Sequence, residues 1–293
     1  MPVLALKQVK EIYDNTAESY DYYVTPCRLC QFLVLTSELT LKGTERVLEV
    51  GSGPGELSLL LAKRLDRGEV VGVDVSEKMV VLSKGRSRAL MANNMTFVVG
   101  DALSLQFLDG SFDVVVSSYV IHWVPDPLRY LREMARVLKR GGQLAIIAPS
   151  QEMYGDLRRA FKEVAYKYRK YYDAQTMAEL IGLKVLSDKE MIDLLPSAGL
   201  VLKKDFQLNF KERLSPELYM KRVNAITNER YLEPLPVELK DKVRTELMKT
   251  LTEATGFGSF PYRVFCLLDR RKKEPELKGM VLDGRAIHLG HPA

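Results

Sequence analysis

A strand that runs straight into three spaced glycines and then into a helix leaves few folds open. This chain carries one at Val47-Leu-Glu-Val-Gly-Ser-Gly-Pro-Gly55, followed by a helical pattern over Leu57–Leu65. Glycines at 51, 53 and 55 permit φ > 0 and let a ligand approach the main-chain N–H groups. A dinucleotide fingerprint of the form GxGxxG places its third glycine at 56, where this chain has Glu56, so the spacing disfavours a nicotinamide cofactor.

The same alternation continues downstream. EVVGVDV precedes a helix over Lys78–Ala89; MTFVVGD and FDVVVSS precede a helix over Leu128–Leu138; a turn at Lys139–Gly142 leads into QLAIIAP. Strands this uniformly apolar are buried on both faces, which predicts a parallel sheet with helices on each side. After Pro149, Leu157, Phe161, Val164, Ala165, Tyr168 and Tyr172 recur at helical spacing among Arg158, Arg159, Lys162, Lys167, Arg169 and Lys170. A helix over Asp188–Ala198 stopped at Gly199, a sixth strand LVLKKDFQLNF, helices over Pro216–Asn228 and Val237–Glu253, and a seventh strand GSFPYRVFCLLDRR complete the pattern. The fold class is α/β: a doubly wound, mostly parallel sheet of seven strands, the last antiparallel, with helical cap insertions. The domain reading is an N-terminal helical cap over 1–43, a Rossmann-like core over 44–149, a helical substrate cap with the last two strands over 150–270, and a tail over 271–293.

At 293 residues and 46% hydrophobic composition the chain can bury a sizeable core. A net charge of +5, with 28% of residues charged in both signs, is too diffuse for a nucleic-acid stripe, so nucleic acid is not expected as a partner. No apolar run reaches the ~18 residues of a membrane span, and the N-terminus lacks the pattern of a signal peptide, which reads as a cytoplasmic protein. Cys27, Cys30 and Cys266 are too few for a disulfide framework. Cys27-x-x-Cys30 lacks the further ligands of a tetrahedral metal site, so no metal is expected.

The chemistry gathers at four strand ends. Glu49, just before the glycines, supplies negative charge for an ammonium, and the glycine turn supplies main-chain donors for a carboxylate. Asp74, nineteen residues after Gly55, closes the second strand where a carboxylate reaches ribose hydroxyls. Asp101 ends the third strand, where a short acid accepts from an adenine amino group. The fourth ends Ser117-Ser118-Tyr119-Val120-Ile121-His122-Trp123. Asp113, opening that strand after a Gly-Ser turn, reads as a turn former.

As a set, these residues resemble the small-molecule branch of the class I S-adenosylmethionine-dependent methyltransferases, whose members share ExGxGxG, VxxDxS, GDA, FDxVxSxxxxxW and RVLKxGG. The likeness runs from Tyr13 to Gly142. Ile121-His122-Trp123-Val124 and Phe260-Pro-Tyr-Arg-Val-Phe265 are similar to the trans-aconitate, juvenile-hormone-acid and malonyl-carrier carboxyl methyltransferases. The resemblance implies S-adenosyl-L-methionine as cofactor, with contacts from Tyr20, Glu49, Gly51, Ser52, Gly53, Gly55, Asp74, Val75, Met79, Asp101, Ala102, Ser117 and His122, and with Tyr13 on the covering N-terminal helix. His122 has two readings, a general base for a hydroxyl acceptor or a group that orients substrate or packs on the cofactor. A carboxylate acceptor needs no base. Trp123, Tyr168, Arg169 and Tyr172 are expected to face a small-molecule acceptor, and the basic helix favours a carboxylate oxygen on it. The rival readings are a methyltransferase of RNA or protein, a non-catalytic cofactor-binding partner subunit, and a nicotinamide oxidoreductase.

Overall fold

A computed structural model describes residues 4–150, 155–172, 185–212, 214–254 and 258–270. The N-terminal helices α1 (Leu6–Tyr23) and α2 (Thr25–Glu38) precede β1 (Arg46–Val50), α3 (Glu56–Ala62), β2 (Glu69–Asp74), α4 (Glu77–Ala89) and β3 (Met95–Val99). β4 (Phe112–Ser118), α5 (Pro127–Val137) and β5 (Leu138–Pro149) complete the alternating part. Then come α6 (Gly155–Lys167), α7 (Asp188–Ser197), β6 (Leu200–Glu212), α8 (Pro216–Thr227), α9 (Val237–Ala254) and β7 (Gly258–Arg270).

The strand order is β3-β2-β1-β4-β5-β7-β6. β1 pairs in parallel with β2 and β4, β2 with β3 and β4 with β5, while β7 runs antiparallel between β5 and β6. Period-two burial divides each central strand between two apolar clusters. Val47, Val70, Val114, Val116, Ala145 and Ile147 pack on one face with α1, α2, α3 and the cap helices. Leu48, Val50, Val71, Val115, Leu144 and Ile146 pack on the other with α5 and α7. Both faces of the sheet are therefore covered, and cap helices α6, α8 and α9 share one core with α1 and α2.

Two local expectations are corrected. Lys139–Gly142 is not a free turn: Leu138 already pairs with Phe112, the register slips, and pairing resumes at Gln143 opposite Val114, with Gly141 at φ 75° in the bulge. The tyrosine-rich helix ends at Lys167 instead of running to Tyr172. The Tyr168 amide is shared between the carbonyls of Val164 and Ala165, which tightens the last turn. The expected tail, 271–293, lies outside the described residues, as do the side chains of Cys266 and most of β7.

Candidate functional site

The glycine turn after β1 takes φ values of 74°, 49° and 85° at Gly51, Gly53 and Gly55. A Cβ on Gly51 would stand 2.0 Å from the Val120 side chain, whereas one on Gly53 would meet nothing within 4 Å. The first glycine is fixed by packing, and the second faces open space. The turn's own donors are already used. The amides of Gly51 and Ser52 donate to the Val73 carbonyl at 2.7 and 3.0 Å, Gly53 to Asp74 Oδ2 at 2.8 Å, and Gly55 to the Ser52 carbonyl at 3.0 Å. These amides are therefore not the donors for a carboxylate that the sequence pointed to.

Beside Gly53 an open cleft lies at the carboxyl ends of β1, β2 and β4. Tyr13, Tyr20, Gly51, Gly53, Asp74, Val75, Met79, Asp101, Ala102 and Trp123 all line it, so the strand-end expectations converge on one space. α1 lies over it because its polar face is tied to both ends of α4. Asp14 accepts from Ser76 Oγ at 2.7 Å and from the Lys78 amide at 3.2 Å, and Asp21 takes both oxygens to Arg86 at 2.7 and 3.0 Å.

A side chamber of about 340 Å³ adjoins the cleft, sharing Tyr20, Gly51, Gly53 and Ser118 with it. It is lined by Glu49 and Ser52, as expected, and by Thr25 and Arg28 of α2, which were not. Glu49 is 2% exposed and accepts from Ser58 Oγ. Burial, reinforced by the neighbouring Asp74 charge, pushes its carboxyl up to about 8. Burial likewise raises Asp74 to about 6, against the amides of Ser76 and Gly53, which donate to its two oxygens. Arg28 is 7% exposed, with its guanidinium 3.7 Å from the Tyr119 ring centre and 5.4 Å from that of Tyr20. Thr25 Oγ1, Ser52 Oγ and Ser118 Oγ are buried around these spaces without a hydrogen-bond partner. Orphaned buried hydroxyls are uncommon and point to a polar ligand that completes them.

Tyr119 shapes the junction. It holds φ 59°, a left-handed conformation that costs a bulky residue about 1–3 kcal/mol. Its hydroxyl donates to Gln31 at 2.7 Å and its amide to Ile147 at 2.9 Å, which fixes the conformation. The reversed backbone brings Val120 against Gly51.

Several expected contacts fall elsewhere. Ser117 points to the opposite face from Ser118, as the pleat requires; its hydroxyl donates to the Val50 carbonyl and accepts from Tyr130, a buried strut between elements. Gly55 packs against Phe97 and Ser83. His122 lines a separate cavity, and burial, with the Arg28 charge adding to it, lowers its imidazole to about 3. So weak a base is poorly matched to general-base work at neutral pH. Tyr168 donates to Glu246 at 2.8 Å, Tyr172 donates to the Tyr231 carbonyl at 2.7 Å, and Arg169 is exposed against the Tyr166 ring. They knit the cap and line neither chamber. Asp113 accepts from the Arg46 amide and from Lys139, a structural role as read. Cys27 is half-buried and Cys30 exposed, and among the described residues no cluster of His, Cys, Asp or Glu could hold a metal. No helix among them is long and apolar enough to cross a membrane.

Arg28 lines the side chamber, a position not anticipated from the sequence. On α2 Arg28 and Gln31 are buried beside Phe32 and Leu35, while the apolar Leu29 and Leu33 are exposed at 38% and 49%, so the buried face of this helix is partly polar.

Residues 48–146 match the profile of the methyltransferase domain family. The chain is 30% identical over 161 residues to a demethylmenaquinone methyltransferase of Staphylococcus saprophyticus, spanning 53% of this chain and 68% of that enzyme. It is 40% identical over 111 residues to the enzyme of the same name in Listeria welshimeri, spanning 38% of this chain and 47% of that one, about half its length. In three dimensions it is similar to the [4+2]-cyclase SpnF, with a TM-score of 0.65 at 17% identity over 92% of this chain and 98% of that one, a likeness of fold alone.

Proposed function

We propose a function from one premise: the chain belongs to the class I S-adenosylmethionine-dependent methyltransferases, and it is an enzyme of that class that uses S-adenosyl-L-methionine. The reading is methyl transfer to an uncharged, largely apolar small molecule. One observation carries the cofactor half of it. A buried carboxylate, a buried guanidinium and three unpartnered hydroxyls surround a chamber that opens into a cleft with Asp74 and Asp101 on its wall. That donor set is complementary to a free amino-acid end joined to a nucleoside.

In this reading Glu49 holds the ammonium, and Arg28 with Thr25, Ser52 and Ser118 holds the carboxylate. Asp74 takes the ribose hydroxyls, Asp101 and Ala102 meet the adenine edge, and Val75 and Met79 pack its faces. Bound there, the cofactor supplies an electrophilic methyl group. Tyr13 and Tyr20 on α1 exclude water from the junction. Trp123 is 7% exposed with its indole N–H unpartnered, which suits a lone pair on the acceptor.

The sequence favoured a carboxylate acceptor because of Arg169 and Lys170. Both are exposed and neither lines the cleft, so that support falls away. The apolar wall formed by Leu6, Val9, Val120 and Val124 favours a neutral molecule instead. The relatives, named for a quinone, lean the same way.

Calorimetry tests the reading. S-adenosylhomocysteine, which keeps the amino-acid end, is expected to bind at least tenfold more tightly than methylthioadenosine, which lacks it. Equal affinity of the two would remove the amino-acid role from the side chamber.

A further inference from the structure

Among the described residues, four that are not glycine hold φ above zero: Met91, Tyr119, Asn228 and Glu229. Of these only Tyr119 lines the cleft, and it is the bulkiest of the four. Gly adopts this conformation freely and Asn readily, so a tyrosine held in it points to a task for the ring.

That ring is 4% exposed, and α2 holds it from two directions. The Arg28 guanidinium lies 3.7 Å from its centre, and its hydroxyl donates to Gln31 Oε1 at 2.7 Å. A guanidinium against a ring in so dry a setting makes a firm contact. Ser118, just before Tyr119, borders both the side chamber and the cleft. Val120, just after it, packs on Gly51 and accepts the Trp123 amide at 2.8 Å. Trp123 borders the cleft, edge-on to Tyr13 at 5.7 Å, and does not border the chamber. One unbroken run of contacts thus leads from Arg28 in the chamber, through the Tyr119 ring and the turn after it, to the Trp123 indole.

We infer that Tyr119 is a positioning residue whose ring, under the Arg28 guanidinium, ties the Trp123 side of the acceptor wall to the cofactor's amino-acid end, so that the wall is held firmly when that end fills the chamber. The inference rests on the methyltransferase reading and adds to it a residue that makes acceptor recognition depend on the intact cofactor. A bound carboxylate takes the guanidinium in charge-assisted hydrogen bonds and fixes its plane. The fixed guanidinium then fixes the ring beneath it. Because the Tyr119 backbone sits away from its relaxed conformation, the ring, with the amide bond to Ile147, is what keeps Val120 on Gly51. Trp123 then offers its N–H to the acceptor from a settled turn. Ordering of this kind couples two subsites without any change of fold.

Trp123 is the single tryptophan of the chain, so its fluorescence reads the acceptor wall directly. Acrylamide reaches a buried indole mainly through local motion, which makes quenching the measurement. S-adenosylhomocysteine and methylthioadenosine, each at saturation, place the same nucleoside and sulfur in the cleft and differ in the chamber, which Trp123 does not border. S-adenosylhomocysteine is expected to lower the quenching constant at least twofold more than methylthioadenosine. Tyr119→Phe, which keeps the ring under Arg28, should retain that difference. Tyr119→Gly, which keeps the backbone conformation and removes the ring, should abolish it in a chain that still binds S-adenosylhomocysteine, and Tyr119→Asn takes its place should the glycine variant fail to fold. The role is overturned by equal quenching with the two ligands in the wild-type chain, or by a folded ringless variant that keeps the difference. Loss of the difference in Tyr119→Phe would overturn it too, by assigning the effect to the Gln31 bond. Failure of the wild-type chain to bind S-adenosylhomocysteine would instead overturn the methyltransferase reading, so the two failures are separable.

Discussion

Around the strand ends, Thr25, Ser52, Ser118, His122 and Trp123 each keep a buried polar atom without a partner. In the cap the tyrosines and charges answer one another: Tyr168 to Glu246, Tyr172 to the Tyr231 carbonyl, Tyr231 to Asn224, and Arg244 to Glu229. Arg230 Nη1 is the single cap atom of this kind left open among the described residues. The crevice thus withholds its hydrogen-bonding capacity for something that arrives, and the cap spends its own on staying together. Substitutions in the first region should change binding at little cost to stability, and those in the second should do the reverse.

The largest expected effect separates two neighbouring glycines. Gly53→Val fills the open space where the cofactor is read to lie, and is expected to weaken its binding at least 1,000-fold, about 4 kcal/mol, in a chain that still melts cooperatively. Gly51→Ala, whose new methyl would collide with Val120, is expected to fail at folding itself. Calorimetry beside thermal melting checks both, and a Gly53→Val chain that binds normally would break the contrast.

Proton linkage at Glu49 comes next. Its carboxyl is raised to about 8 in the folded chain, so the stability it contributes is present at low pH and is lost as pH rises through about 8. The unliganded chain should therefore melt at progressively lower temperature above about pH 4.5, and Glu49→Gln should flatten the profile. Since an ammonium requires the ionised carboxylate, cofactor affinity should rise roughly tenfold per pH unit from 6 towards 8. A flat affinity profile would place the ammonium elsewhere.

Arg28→Ala sharpens the same comparison inside the crevice. S-adenosylhomocysteine should bind about tenfold more weakly, on the order of the 1.4 kcal/mol expected for one charge-assisted contact, while methylthioadenosine binds as before. An equal loss for both ligands would mean that Arg28 supports the fold through Tyr119 instead of holding a carboxylate.

The smallest effect is expected where the sequence had placed specificity. Arg169→Ala should leave the acceptor's KM within twofold of wild type, because an exposed guanidinium beside Tyr166 touches neither chamber. A tenfold rise in KM would return the basic face to the acceptor site.

The alternating core was legible because each signal there has one physical cause. Strands buried on both faces must be apolar throughout, and a strand-to-helix turn with φ above zero at three positions must be rich in glycine. What escaped was decided by direction. Ser117 and Ser118 are indistinguishable in sequence, and only the pleat says which hydroxyl meets the crevice. Tyr168 and Tyr172 carry the right chemistry for a substrate, yet their hydroxyls turn to Glu246 and the Tyr231 carbonyl. Arg28 lies on a helix whose buried face is partly polar, and a lone arginine among Phe32, Leu35 and Gln31 gives no signal in the sequence that it turns inward.

The position of β7 has a consequence for how the molecule is made. It is the last of the strands in the chain, yet it sits between β5 and β6 and pairs with both. As the ribosome delivers the chain, β1 to β5 can assemble once Pro149 has emerged, bringing Glu49, Asp74 and Asp101 together. The edge of β5 then waits without a neighbour while the segment up to Gly258 is synthesised, roughly 5–20 s at about 5–20 residues per second. An open strand edge invites pairing with other chains, so the nascent protein is most exposed to misassembly in that interval. Phe265 arrives with the closing strand, and the cavity beside His122 is the last of the three spaces to be walled in.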